Sequence, residues 1–341
     1  MSVVGGALTR VAGGGELTRV EARDVMDAVM RGECPDAAFG ALFGMLHARQ
    51  ETIEELAGFA ESMRSHVVAV GSPAGAIDTC GTGGDGAGTF NVSTCAAFVA
   101  AGAGAVVAKH GNRAVSSNCG SADVLEALGG RLETEPDAVP AQLERTGFAF
   151  LYAPVFHPSM RHAAGPRRAL GMRTAFNYLG PITNPAGVTR QVVGVSDMDA
   201  ARRLAQVLQE LGTERALVVH GGGGLDELSL VSPSTMFDVT PEAVVVTMVD
   251  AEALGLTAAP IEAIAGGDAA TNAGIIRDLL RGRLQGPPLD VVLLNAAAAL
   301  VAAGLAGGLA EGIATARASI DSGAALERLE RWITADAEVV A

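Results

Sequence analysis

Positive charge is scarce in this 341-residue sequence: 24 Lys and Arg face 38 Asp and Glu, for a formal net charge of -14. Such a chain lacks the clustered cations whose counterion release drives obligate nucleic-acid or anionic-membrane binding, which leaves room only for local basic loops. Cysteine is also sparse. Cys34, Cys80, Cys95 and Cys119 show neither the paired spacing of a zinc site nor the density of a small secreted disulfide frame. They read as small buried hydrophobes in a reducing compartment, so the expected localisation is cytoplasmic. The N-terminus has no basic head, apolar core and cleavage site, so no secretory signal is expected. One long apolar run, Val291 to Leu309, is broken only by Asn295, but it is mostly Ala and Gly and is bounded by Asp290 and Glu311. Weak hydrophobicity and acidic flanks favour a buried helix over a membrane span. Missing too are a Walker A loop, a GxGxxG turn with its downstream ribose acid, and any internal repeat of fixed period.

What the chain does have is concentrated between Asp78 and Asp123. A short apolar run ending at Ile77 leads into glycines at 81, 83, 84, 86 and 88 and then an Ala-rich helical segment, a strand, glycine loop and helix in succession. Glycine lets the backbone take positive φ and approach a ligand, while Asn91, Ser93 and Thr94 put donors beside the unpaired amides of a helix N-terminus. A second loop is expected to start at Lys109 and offers His110, Asn112, Arg113, Ser116 and Ser117, a donor set suited to a polyanion. With no purine-cofactor signature, these loops point to a phosphate ester.

The rest of the chain frames those loops. Thr18 with Glu21, and Thr52 with Glu55, are capping boxes, and Pro35 opens a helix between them that runs to His47. Val20, Val25, Met26, Val29 and Met30 form the expected apolar face of the first helix. Residues up to Gly15 read as a frayed leader, and His47 and His66 as solvated helix-end histidines. Residues 1–70 are therefore expected to form a small all-helical domain, completed by part of roughly 165–190. Residues 71–341 form an α/β domain whose strands, Ile77 to Cys80, Ala105 to Ala108, Phe148 to Tyr152, Val192 to Val195 and Ala216 to His220, alternate with helices. That alternation predicts a mainly parallel central sheet flanked by helices, with ligands at the carboxyl ends of its strands. Antiparallel strands are expected around Met236 to Met248, followed by helices from Asp268 to Arg281, Leu289 to about Ala306 and Leu309 to Ala335.

Two further groups carry chemistry. Asp226 and Glu227 follow four glycines at a strand end; a solvated turn is the plain reading, and two hard carboxylates for Mg²⁺ is the functional one. Arg161, Arg167, Arg168 and Arg173 occupy thirteen residues with almost no acid among them. They form either a charged helix face or forks for a planar carboxylate. His157 is open between an ordinary loop histidine and a substrate contact.

GTGGDGAGTFNVST, KHGNRAVSSNCGSAD, the HPSM to GPRRALGMRTAFNYLGPITNPA block and GGGLDELS occur in the order and at the spacing of the anthranilate phosphoribosyltransferase family, which the sequence resembles from Leu17 onward. The resemblance implies a fold of the nucleoside phosphorylase/phosphoribosyltransferase type and a homodimer. It also implies transfer of the 5-phosphoribosyl group of phosphoribosyl pyrophosphate (PRPP) to the amine of anthranilate in tryptophan biosynthesis, with Mg²⁺. Carried over by position, Gly81, Gly84, Asp85, Thr89, Asn91, Val92, Ser93 and Thr94 resemble PRPP contacts. So do Lys109, His110, Gly111, Asn112, Arg113, Ala114, Val115, Ser116, Ser117 and Ser121. Gly81, Asn112 and Arg167 resemble the anthranilate contacts, which His157 joins as a candidate, and Ser93, Asp226 and Glu227 resemble the Mg²⁺ ligands. No residue is assigned as an acid or base. Tyr178 stands where the family often has an aliphatic residue. The alternatives are a pyrimidine nucleoside phosphorylase, which would lack the paired acids, and a non-catalytic nucleic-acid-binding relative of the same fold, which would need a basic surface.

Overall fold

The structure is a computed structural model that describes residues 2–114, 118–132 and 135–338. Val115, Ser116 and Ser117 of the second loop lie outside the described residues. Four helices open the chain: α1 (Val3–Ala12), α2 (Arg19–Met30), α3 (Asp36–Arg49) and α4 (Ile53–Ser65). Both expected capping boxes are formed, Thr18 with Glu21 and Thr52 with Glu55. Glu55 does more than cap. Fully buried, it accepts from Thr52 N at 2.9 Å, from Leu17 N at 2.8 Å and from the Arg49 guanidinium at 2.6 Å, so both oxygens are satisfied and the charge is paired.

The leader is not frayed. Ser2 caps α1, and Val4, Ala7 and Val11 recur at helical spacing and are buried in the core shared with α2 and α3, which outweighs the poor propensity of Gly5 and Gly6. Val20 also departs from expectation. It is 56% exposed, because Ala22, Ala28 and their neighbours take the inward stripe of α2. His66 is half-buried and bonds Asp27 at 3.1 Å, and His47 is half-buried as well, so neither is simply solvated.

Seven strands follow in one sheet: β1 (Ile77–Gly81), β2 (Val107–Gly111), β3 (Phe148–Tyr152), β4 (Arg190–Gly194), β5 (Arg215–His220), β6 (Ser234–Val239) and β7 (Val244–Val249). Their order is β3-β2-β1-β4-β5-β6-β7, with the first five parallel and the last two antiparallel. The remaining helices are α5 (Val92–Gly102), α6 (Ser121–Ala127), α7 (Val139–Thr146), α8 (Ala153–Phe156), α9 (Arg161–Leu170), α10 (Phe176–Leu179), α11 (Met198–Glu210), α12 (Ala269–Leu280), α13 (Pro287–Ala303), α14 (Leu309–Asp321) and α15 (Ala324–Glu338). The stretch expected as one helix from Leu309 to Ala335 is two, divided at Gly323, whose φ of 80° suits glycine and stops the first.

The sheet is covered on both faces. On one, α5, α13 and α15 build a core in which Phe98 stacks on Phe148 at 4.3 Å and Trp332 meets Phe148 edge-on at 5.3 Å. Helix α13 is buried on nearly all sides, and inside its apolar run the one polar side chain, Asn295, is bonded to Leu228 N and O at 2.9 Å each. Among the described residues no helix is long and apolar enough to cross a membrane. On the other face, α11 packs against β5, β6 and α4, so the helical unit and the sheet share one core. The block after β3 returns to that unit: α9 rests on α2 and α3, and Phe176 lies 5.6 Å from Phe39 and 5.0 Å from Phe43.

Candidate active site

The strand order reverses between β1 and β4, and in an open α/β sheet such a switch leaves a crevice at the carboxyl ends. Gly81 and Gly194 end those two strands. A Cβ on Gly81 would meet the Asp226 carboxylate, and one on Gly194 would overlap the Asp226 carbonyl, so the chain can reach into the crevice only because both positions are glycine. Beyond Gly81 the loop takes positive φ at Gly83, Gly84, Gly86 and Gly88. Gly83 N donates to Asp226 Oδ2 at 2.7 Å, and Asp85 folds back to accept from Ala87 N at 3.1 Å. Thr89 bridges to Ala265, which ties the end of the loop to the last third of the chain.

At the start of α5, Ser93 N donates to Glu227 Oε1 at 3.0 Å, placing Glu227 where the helix dipole favours an anion. Asn91 does not cap the helix; its amide donates to the Cys119 carbonyl and its oxygen accepts from Asn272. Val92 is buried, and the Thr94 hydroxyl is buried without a partner among the described residues. Burial, and secondarily the Asp85 charge, pushes the Asp226 carboxyl above its ordinary range. Burial, and secondarily Asp226, does the same to Glu227. Crowded acids of this kind are poised to accept a cation.

The countercharge nearby is Lys109, the only lysine in the sequence. It is not on a loop. Strand β2 continues through Gly111, Lys109 is 2% exposed, and its ammonium donates to the Thr79 carbonyl and partly offsets the upward pKa shifts that burial imposes on Asp78 and Glu227. The second loop therefore begins at Asn112, three residues later than expected. His110 is buried as well: its N–H donates to Asp78 Oδ1 at 3.1 Å and its ring faces Gly180 O at 3.2 Å. Arg113 pairs with Asp123 at 3.0 Å and with Glu126 at 2.9 Å, while Ala114 N and Gly120 N both donate to Asp123 Oδ2 at 2.9 Å. In this arrangement one carboxylate holds two loop amides. Ser121 opens α6 and donates to Asn112 O at 3.3 Å.

The arginines separate by environment. Arg161 and Arg168 are exposed; Arg167 is half-buried over the Phe176 ring at 5.1 Å, and Arg173 lies over Tyr178 at 5.6 Å. None of the four makes an ion pair among the described residues; Arg161 and Arg168 keep the charged helix face, while Arg167 and Arg173 turn inward. Arg173 donates to Gly83 O at 3.0 Å and so joins the helical block to the glycine loop. His157 is buried, its ring 4.9 Å from that of His110, and burial depresses it to about 4 and His110 to about 3. Arg167 makes no hydrogen bond with Gly81 or Asn112, so the four anthranilate candidates are not joined by contacts of their own.

Several members of the site were not singled out from sequence. Asp78 is fully buried, bonded to Asn184 Nδ2 at 2.8 Å and to His110 N, and burial raises it to about 6. Gly194, Asp123, Asn184 and Asn272 were also passed over. Asn184 meets Asp78 across 106 residues and Asn272 meets Asn91 across 181, partnerships that no local pattern displays.

Two family models match the chain: the glycosyl transferase family a/b domain over residues 74–326 and the helical bundle domain of the same family over residues 6–67. The anthranilate phosphoribosyltransferase of Chloroflexus aurantiacus is 52% identical over 328 residues, 96% of this chain and 97% of that protein. The crystal structure of the Thermus thermophilus enzyme superposes with a TM-score of 0.92 at 44% identity, covering 98% of this chain and 99% of that one. The Saccharomyces cerevisiae enzyme in complex with PRPP and Mg superposes with a TM-score of 0.90 at 28% identity, covering 98% of each chain. On this near full-length likeness in sequence and in fold, the chain belongs to the anthranilate phosphoribosyltransferase family.

Proposed function

We propose that the protein transfers the 5-phosphoribosyl group of PRPP to the amine of anthranilate, releasing pyrophosphate and forming N-(5-phosphoribosyl)anthranilate, a step of tryptophan biosynthesis. The observation that carries this reading is the meeting of Asp226 and Glu227 with the glycine loop and the start of α5 at the β1/β4 crevice. PRPP and Mg occupy the yeast relative, and the residues here fit such a pair. The donor set is oxygen only, and its two carboxyls are pushed up by burial and, secondarily, by a neighbouring acid, Asp85 for Asp226 and Asp226 for Glu227. Among the described residues no three acid, histidine or cysteine side chains form a closed metal cage. That suits Mg²⁺, which takes one or two carboxylates and shares the remaining positions with water and substrate phosphate. Asp226 and Glu227, with the Ser93 hydroxyl, would hold the ion, and its chemistry there is to neutralise charge gathering on the pyrophosphate.

The chain's own groups supply the rest. The loop amides from Gly81 to Thr89 present N–H groups to the diphosphate, and Asn112, Arg113 and Ala114, with Ser121, flank the ribose phosphate. Lys109 acts from beneath the crevice by offsetting the half-buried acid pair rather than by touching solvent-side phosphate. Arg167 and Asn112, with Gly81 and His157, orient anthranilate, and holding two substrates together contributes a large share of the acceleration. An aniline nitrogen is already neutral and nucleophilic at pH 7, so no general base is required before attack. His110 and His157, kept neutral by burial, leave the anthranilate carboxylate to arginine. Assembly as a homodimer and cytoplasmic residence belong to the same reading, and light scattering of the purified protein tests the first.

Loss of anthranilate fluorescence on mixing with PRPP and Mg²⁺, with each omitted in turn, tests the function. Phosphorolysis of thymidine without consumption of anthranilate would replace it with the phosphorylase alternative.

A further inference from the structure

A second concave site lies at the other end of the sheet. It is a cavity of about 160 Å³ where the last turn of α4 and the extended segment leading from it meet the residues before β4 and the turn after α11. Its walls include Ile182, Val188 and Leu211, and its polar groups include Arg64 and Gln191. Thr189, at its edge, precedes Gly194 by five extended residues, which puts the cavity on the order of 15 Å from the β1/β4 crevice.

Two polar groups of this cavity are not fully partnered among the described residues. Gln191 is 2% exposed, and its amide nitrogen has no hydrogen-bond partner. Arg64 is half-buried and spends one N–H, from Nε, on the Ile182 carbonyl at 2.9 Å; among the described residues it makes no ion pair. The nearest acid in its own helix, Glu61, is already held by Arg19 at 2.7 Å. The buried Gln191 amide donor carries a desolvation cost that a bound acceptor would offset, and the Arg64 guanidinium beside it has N–H groups left over from the Ile182 carbonyl for an anion. The fork of a guanidinium fits a carboxylate. The apolar walls fix the remainder of the ligand, since a cavity of roughly 150 Å³ accommodates a molecule the size of benzene.

We propose that this cavity binds a small monocarboxylate with a compact apolar body, its carboxylate held by Arg64 and Gln191 and its hydrocarbon part by Ile182, Val188 and Leu211. Arg64 belongs to the helical unit and Gln191 to the sheet, so such a ligand bridges the two parts of the chain. The inference stands apart from the transferase reading, because none of these residues is assigned to PRPP, anthranilate or Mg²⁺.

The probe is pivalate, titrated into the full-length protein by calorimetry and by NMR, with pivalamide as the neutral isostere. Saturable pivalate binding is expected, weakened about tenfold or more when the charge is absent from the probe, in line with a charge-assisted hydrogen bond. Arg64→Met and Gln191→Glu should each weaken pivalate by a similar factor, while Arg167→Ala in the other crevice leaves it within about twofold. No saturation at millimolar pivalate, equal binding of pivalamide, or a loss in Arg167→Ala matching that in Arg64→Met would each overturn the proposal, as would a crystal soaked in pivalate with only water in the cavity. If Arg64→Met does not fold, the Gln191→Glu and pivalamide comparisons decide the question alone.

Discussion

The helical unit and the β1/β4 crevice are built by different rules. In the unit, structure follows from neighbours: Thr52 and Glu55 close their capping box across three residues, and an apolar stripe decides which side of each helix turns inward. In the crevice, the decisive bonds cross 143 residues between Gly83 and Asp226 and 134 between Ser93 and Glu227. Local rules make a stable scaffold, whereas the site exists only once the sheet has brought its strand ends together. Damage to the first should therefore lower stability and leave the chemistry alone, and damage to the second should do the reverse.

The largest effect expected is from Asp226→Asn combined with Glu227→Gln, which should lower kcat/KM on the order of 1000-fold at saturating Mg²⁺ with little change in the urea midpoint. Undiminished turnover across Mg²⁺ concentrations would break the comparison at its functional end. Next comes Gly194→Ala. A methyl group there displaces the Asp226 backbone, so we expect about 100-fold loss of activity together with about 1–3 kcal/mol of stability, a mixed outcome because this glycine serves both roles.

A third test uses pH. The His157 ring is depressed from 6.5 to about 4 in the fold, so the unfolded chain binds the proton first as pH falls. The stability associated with this group is present above about pH 6.5 and is lost as pH drops from there through about 4. His157→Gln should flatten the urea midpoint over that window, by up to about 1.4 kcal/mol per pH unit. An unchanged slope would show that the ring is solvated instead. Smallest is Thr52→Ala, which should cost about 1 kcal/mol in chemical denaturation and leave both KM values unaltered.

The same division explains what could be read beforehand. Both capping boxes, the parallel strands and the acid pair beside a glycine turn were legible, because each is a short pattern with a local cause. Where reading went wrong, tertiary contact had overridden a weak local signal. Residues up to Gly15 read as a frayed leader, yet burial of Val4, Ala7 and Val11 holds α1. Lys109 looked like a loop cation, yet strand pairing with Phe150 carries it into the interior. Gly194 sits among ordinary strand residues, and only the nearness of Asp226 shows why a side chain is not tolerated there. Tyr178, noted as unusual for the family, has a plain use as the surface on which Arg173 rests.

Lys109 has one more consequence. Because the sequence holds no other lysine, amine-directed reagents have a single side-chain target, and that target is closed off beneath the crevice. Lysine crosslinkers will be nearly blind to this protein's assemblies. By the same token, slow acylation of that one ammonium, followed by mass spectrometry, becomes a built-in clock for how often the crevice floor opens.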